Sequence, residues 1–327
     1  MTDFPITVVI ALYNKEKYIK KCIDSVLSQS YGNFKVIIVN DGSTDGSFEI
    51  AKSYTDDRIT LIDQTNRGPG VARNRGLSVC ETKYISFLDA DDDWHPDFIT
   101  KGLEALENNA DCDLFLCGSV WQPLEEIRLP FFSFENIVSS GSWILPLDLQ
   151  AEDAFNAMNF FATGAVMAKT SVIKKYGGYF DAKFCNSGED GYLWVQVMFN
   201  HKIYRSVDCL LYVNVHGSDL GIGRKAMKPV PPILLYPDQV YGSCPDKYKH
   251  ILEKLLAFLA FQAFRRELYQ NHFAKAYKLY KRFPKLANYK TPDYPPIIRA
   301  FIEIPYKRYV VKPINYLSRK RTSYAKN

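Results

Sequence analysis

Asp89, Asp91, Asp92 and Asp93 place four carboxylates within five positions, directly after the apolar run Tyr-Ile-Ser-Phe-Leu at 84–88. Like charges this crowded repel unless a cation or hydrogen-bond donors neutralise them. Oxygen ligands with open positions suit Mg²⁺ or Mn²⁺ held jointly by protein and phosphates. Acids at a helix start also serve as caps and face the macrodipole, which accounts for Asp92 or Asp93 ahead of Pro96. That reading leaves Asp89 and Asp91, which alternation along an extended backbone sends to one side. A divalent-metal nucleotide site covers both.

Two further loops carry candidate chemistry. Asn40 and Asp41 end the run Lys-Val-Ile-Ile-Val and open Gly-Ser-Thr-Asp-Gly-Ser. A carboxylate held there can accept hydrogen bonds from a nucleobase or ribose, or it can simply cap the next helix. In 66–76, Asn-Arg-Gly-Pro-Gly-Val-Ala-Arg-Asn-Arg-Gly, the glycines permit close backbone approach while Arg67, Arg73 and Arg75 supply cations suited to phosphates. Neither the dinucleotide GxGxxG pattern nor the P-loop fits this spacing, and a helix start with surface arginines is the alternative.

The elements that must hold these loops are legible from periodicity. Apolar, β-rich runs at 6–13, 35–40, 59–63, 84–89 and 113–119 alternate with helical patterns starting near Lys15, Ser47, Gly70 and Pro96. In the first helix Tyr18, Ile19, Cys22, Ile23, Val26 and Leu27 recur at three- and four-residue steps behind Asn14 as N-cap. Strands apolar throughout and separated by helices imply a mostly parallel sheet with helices on both faces, its ligands at the strand C-termini. The pattern loosens after 120, returns as strand and short helix before Gly177, and gives a helix from Glu189; 247–283 reads as two helices broken near Asn271.

Length and composition set outer bounds. With 327 residues and 47 % apolar content the chain can bury a large α/β core plus an appendage. Seven cysteines without a CxxC pair read as reduced thiols, a cytosolic signature, and the N-terminus reads as a strand and not a signal peptide. No window reaches the roughly 18 apolar residues of a membrane span. The net charge of +5 is a tail property: 299–327 holds eight Lys/Arg against Glu303, leaving −2 for the rest.

Residues 5 to about 118 resemble family 2 glycosyltransferases of the GT-A fold, in Val-Val-Ile-Ala-Leu-Tyr-Asn, Ser-Val-Leu-Ser-Gln-Ser-Tyr, Ile-Ile-Val-Asn-Asp-Gly-Ser-Thr-Asp-Gly-Ser, the glycine-arginine loop and Phe-Leu-Asp-Ala-Asp-Asp-Asp-Trp. The resemblance implies a Rossmann-like nucleotide-diphospho-sugar transferase over 1–224 and a helical region with a basic tail over 225–327. It implies a nucleotide-sugar donor, with Asp41 on the base, Asp89 near the ribose, Arg73 in the donor pocket and Asp91 on the Mg²⁺ or Mn²⁺ that bridges the diphosphate, the second acid of a DXD motif. Asn40 departs from the family's usual Asp. The likeness extends to Ser-Gly-Glu-Asp-Gly-Tyr-Leu-Trp, where Asp190 corresponds to the catalytic base and Glu189 positions acceptor or loop; helix capping is the alternative. His216 stands where relatives carry a histidine near the metal.

The implied activity is inverting transfer of a hexosyl or N-acetylhexosaminyl group, UDP-linked, to a glycan or lipid-linked acceptor in bacterial surface-polysaccharide synthesis. A sugar nucleotidyltransferase is the alternative enzyme, although its glycine-rich, lysine-bearing opening is missing after β-run 6–13. A catalytically idle nucleotide-sugar or membrane-binding relative is the non-enzyme alternative, and the intact Asp41, Asp89, Asp91 and Asp190 speak against it. The tail 299–327 suggests peripheral attachment to anionic phospholipid on the cytoplasmic face, each cation adding roughly 1 kcal/mol. No nucleic-acid-binding module accompanies the charge.

Overall fold

The structure is a computed structural model that describes residues 4–124, 126–128, 139–182, 184–185, 187–217 and 229–289. The apolar runs become strands β1 (Ile6–Leu12), β2 (Phe34–Asp41), β3 (Ile59–Gln64) and β4 (Tyr84–Asp89), followed by β5 (Asp93–Trp94), β6 (Leu114–Gln122), β7 (Glu126–Arg128), β8 (Gly141–Trp143), β9 (Val166–Lys169) and β10 (Ile203–Asn214). They form one sheet in the order β3-β2-β1-β4-β9-β6-β10-β5, with β7 on β6 and β8 on β10. β1 pairs in parallel with β2 and β4, β2 with β3, and β6 with β10. The antiparallel ladders are short, two or three residue pairs each. Strands apolar at consecutive positions need cover on both faces, and Ile6, Val8, Val9 and Ile10 are all fully buried.

Helices α1 (Ile19–Leu27), α2 (Ser47–Lys52), α3 (Pro69–Ser78) and α4 (Phe98–Asn108) connect the first strands. α1 buries Ile19, Cys22, Ile23 and Val26, the stripe set by its spacing. It starts four residues later than its periodicity suggests. Asn14 is not its cap, because it adopts φ 49° and turns its Oδ1 to the backbone N–H of Thr44 at 2.8 Å. That detour frees 13–18 to form a loop at the end of β1.

α3 lies so close to the sheet that a Cβ at Gly76 would stand 2.4 Å from Val9 Cγ1. Gly76→Ala is therefore expected to destabilise by about 1–3 kcal/mol through overpacking, despite alanine's better helix propensity. Urea unfolding monitored by circular dichroism would measure it.

The chain runs outward from β1 to β2 and β3, then returns to lay β4 on the other side of β1. The direction of winding reverses there, and such a switch point opens a crevice at the strand C-termini. The loops after β1, β2 and β4 meet at that crevice. In the looser middle, β7, β8 and the helix Ala151–Asn159 are formed, while 129–138 lies outside the described residues.

By its own packing the chain divides into two compact units, 1–256 and 257–327, with the division inside the helix Lys249–Tyr269. In the second, Asn271 takes φ 59° between that helix and Phe273–Arg282, and Tyr289 packs its ring on Phe258 and Phe261. The basic tail lies outside the described residues. No helix among the described residues is long and apolar enough to cross a membrane, and all seven cysteines are free.

Candidate active site

Asp41 closes β2 at 2 % exposure. Its Oδ1 accepts the side-chain N–H of Gln64 at 2.8 Å and the backbone N–H of Arg67 at 2.9 Å, while Oδ2 accepts the backbone N–H of Gly68 at 2.8 Å. The carboxylate thus ties the end of β2 to the glycine loop ahead of α3, where Gly68 needs its φ of 97°. A carboxylate offers about four acceptor positions. Three are used by the protein, which leaves room for one donor from a ligand. Asn40 is spent on the same framework, donating to Asp63 and accepting from Ser43 N–H.

The second cluster joins three parts of the chain. Arg73, on α3 and 6 % exposed, donates through Nη2 to Asp89 Oδ1 at 2.6 Å and through Nη1 to Glu189 Oε1 at 2.9 Å. Its guanidinium lies over the Tyr179 ring, 4.9 Å from the centroid. Burial works against this charge, but Asp89 and Glu189 outweigh it and hold Arg73 firmly protonated. A guanidinium fork suits such double pairing, and an ammonium does not.

Glu189 and Asp190 open the helix Glu189–Asn200, which Gly188 begins from φ 83°. Glu189 is 6 % exposed, whereas Asp190 is half-buried. Asp190 Oδ1 accepts the Gly191 N–H at 2.7 Å. Desolvation lifts the Asp190 carboxyl above the ordinary range; Arg73 and the Gly191 N–H pull it back, and Asp89 adds a further rise. Glu189 is raised chiefly by burial and by Asp190, against Arg73. Asn74 clips the neighbouring 179–181 segment to α3 by accepting Tyr179 N–H and donating to Tyr179 O and Asp181.

The acidic quartet separates by partner. β4 ends at Asp89, and a turn with Asp92 N–H on Asp89 O carries the chain away, so Asp89 and Asp91 do not share a strand face as alternation suggests. Asp89 faces Arg73, while Asp91 faces Lys15, whose Nζ is 2.9 Å from Oδ2. Asp92 accepts the Asn214 N–H, and burial followed by the Asp91 and Asp89 charges pushes its carboxyl well up. Asp93 lies in β5 and pairs with Lys21. Neither caps a helix, since α4 begins at Phe98 behind Asp97.

The divalent cation expected from the sequence would have Asp91 as its protein ligand. Asp91 is a hard-oxygen ligand that already attracts a cation, and no group of three or more His, Cys, Asp or Glu among the described residues forms a complete cage. One carboxylate with open positions fits Mg²⁺ or Mn²⁺ shared with phosphates. His216 is exposed on the turn after β10, and the next residue, Gly217, packs against Asp91, with its Cβ position 2.7 Å from Asp91 Cβ.

Sequence reasoning missed Lys15, Gln64 and Tyr179. Lys15 looked like a helix-start residue; its only signal was its place directly after β1, among loops already suspected. Gln64 and Tyr179 carried no signal, because their roles depend on what a distant segment brings to them.

Residues 7–169 match the family model described as glycosyl transferase family 2. The chain is 31 % identical over 230 residues to the glycosyltransferase GlyA of Streptococcus pneumoniae, covering 65 % of this chain and 30 % of that one. It is 39 % identical over 134 residues to the uncharacterized glycosyltransferase YibD of Escherichia coli, covering 38 % and 39 %. The chain thus spans about a third of the length of these curated relatives. Among solved structures, S. aureus TarS (residues 1–349) in complex with UDP-GlcNAc superposes with TM-score 0.62 at 19 % identity, over 80 % of this chain and 72 % of that one. The mannosyltransferase PcManGT of Pyrobaculum calidifontis, in complex with GDP-Man and Mn²⁺, gives 0.54 at 18 % identity, over 91 % and 83 %. At these identities the structural likeness is one of fold, and that fold is GT-A. With the family match, the curated relatives and the crevice at its strand ends in agreement, the chain belongs, through residues 7–169, to glycosyl transferase family 2.

Proposed function

We propose that the chain is an inverting glycosyltransferase that moves a hexosyl or N-acetylhexosaminyl group from a UDP-linked donor to a glycan or lipid-linked acceptor in bacterial surface-polysaccharide synthesis. The observation that carries this reading is Arg73 gripping Asp89 and Glu189 at once, which brings the donor-side loop and the Asp190 helix into one crevice. Neighbours of the same fold bind UDP-GlcNAc and GDP-Man, which supports a nucleotide-sugar donor.

In this reading the open acceptor position on Asp41 takes an N–H of the base, and the exposed part of Asp89 takes a ribose hydroxyl. Asp91, with His216 as a second candidate, holds the divalent cation, which when bound offsets the negative charge of the departing nucleoside diphosphate. Asp190 accepts the acceptor hydroxyl's proton as that oxygen attacks the anomeric carbon from the side opposite the diphosphate, giving inversion in one displacement. Glu189 does not exchange that proton; it holds the helix to Arg73. The carboxyl of Asp190, raised chiefly by desolvation, is a better proton acceptor than an ordinary aspartate. A GT-A unit over 1–224, a helical region over 225–327, and a cytoplasmic setting with the basic tail on anionic lipid complete the proposal.

A donor panel with Mn²⁺ or Mg²⁺, followed by release of free nucleotide with and without chelator, tests it. One UDP-sugar is expected to turn over and EDTA to abolish the reaction. Turnover that is indifferent to EDTA would remove the metal from the scheme, and no turnover of any nucleotide sugar across a glycan and lipid-acceptor panel would overturn the function.

A further inference from the structure

Lys15 belongs to none of the roles above, yet it sits on the proposed metal ligand. Its Nζ donates to Asp91 Oδ2 at 2.9 Å and to the carbonyl oxygen of Gly217 at 2.5 Å. The two charged side chains are only 15 % and 10 % exposed. The backbone behind the side chain is anchored: Lys15 N–H donates to Ser47 Oγ at 2.7 Å, and Glu16 N–H to Asp45 at 3.1 Å. Because Gly217 itself presses on Asp91, the ammonium, the carboxylate and the turn after β10 form one closed contact. A dication binding Asp91 through Oδ2 must displace the ammonium already there. In so covered a pair, taking away one partner leaves the other as an uncompensated charge.

We propose that Lys15 is a built-in counterion of Asp91 that holds off a divalent cation until a nucleotide diphosphate arrives, so that metal and nucleotide load together. The identity of the nucleotide rests on the glycosyltransferase reading; the competition with metal does not. A lysine suits the exchange, since its four-carbon stem lets the ammonium pass from the carboxylate to incoming phosphate oxygens while the backbone stays anchored. Releasing Asp91 in this way couples the two ligands, and the coupling is reciprocal: nucleotide tightens metal by the factor that metal tightens nucleotide.

Calorimetric titration of the full chain with Mn²⁺ alone, UDP alone, and Mn²⁺ at saturating UDP tests the proposal on the natural chain, Lys15→Met, Lys15→Gln and Lys15→Arg, with Asp91→Asn as the blank. Lys15→Met and Lys15→Gln are expected to bind Mn²⁺ alone about tenfold more tightly, with a comparable loss of coupling to UDP, as removal of one partner of a covered ion pair implies. Lys15→Arg keeps the charge and the natural behaviour. Mn²⁺ should also raise the Tm of the two neutral variants more than that of the natural chain, which reads metal binding without activity. Unchanged or weaker Mn²⁺ binding in whichever neutral variant retains the natural circular dichroism spectrum overturns the counterion role. If UDP binds no form with or without Mn²⁺, the nucleotide-donor reading fails, while the Mn²⁺-alone comparison still decides whether Lys15 guards Asp91.

Discussion

Asp190→Asn is expected to abolish sugar transfer while leaving donor binding intact, with turnover falling by about 10²–10⁴-fold, the usual contribution of a positioned general base. Asparagine keeps the size of the side chain and its acceptance of the Gly191 N–H, so the helix start is preserved and only proton acceptance is lost. Calorimetry with the identified donor separates the two effects, because binding lost together with turnover would mean that Asp190 supports the donor pocket. Retained transfer would remove Asp190 as the base. The natural enzyme adds a pH signature. The Asp190 carboxyl is raised, chiefly by desolvation, so the acidic limb of the kcat profile should lie above the ~3.9 of an ordinary aspartate.

Arg73→Met carries the second large effect, and it acts on stability as well as rate. Methionine fills similar space over Tyr179 but leaves Glu189, whose side chain is 8 % exposed, without its counterion. Breaking a buried pair from one side typically destabilises by about 3–5 kcal/mol. The sign with pH follows from Glu189. Its folded pKa lies above the unfolded value and rises further once Arg73 is gone. The protonated folded form is then favoured, so the stability it contributes is fully present below the unfolded pKa of about 4.3 and is lost as pH rises through the folded value. The deficit of the variant relative to the natural chain should therefore be larger at pH 8 than at pH 5, measured by urea unfolding at both. Arg73→Lys should recover only part of it, because one ammonium does not span Asp89 and Glu189 in the geometry of the guanidinium fork. The acidic limb of kcat should also move upward in Arg73→Met, since Arg73 holds the Asp190 carboxyl down. A deficit that does not depend on pH would mean that Arg73 acts by packing alone.

These two residues also mark how far reading the chain can go. The β1 to β4 runs, the stripe of α1 and the glycine loop before α3 are local patterns, and each formed where periodicity or composition placed it. The start of α1 was not legible, because the Asn14 side chain that looked like a cap goes to Thr44, a residue brought alongside by the β2 loop. The short antiparallel strand β9 between β4 and β6 was legible as a strand but not in its place, since its pairing joins segments far apart in the chain.

The candidate site divides in the same way. Residue type and position at a strand end were enough to single out Asp41, Asp89 and Asp91, the glycine-arginine loop pointed to Arg73, and Glu189 and Asp190 came from the resemblance to the family. Partnership was not available from type. Arg73 read as a cation for phosphate, yet its two strong hydrogen bonds go to carboxylates 16 and 116 residues away. Asp89 and Asp91 read as one pair, yet a single turn after β4 sends one to Arg73 and the other to Lys15. The sequence by itself determined which elements form and which chemical groups stand at their ends, since backbone preference and side-chain chemistry are properties of short stretches. Tertiary structure decided which charges neutralise one another, since ion pairing falls off within a few ångströms and only the packed sheet brings distant residues that close.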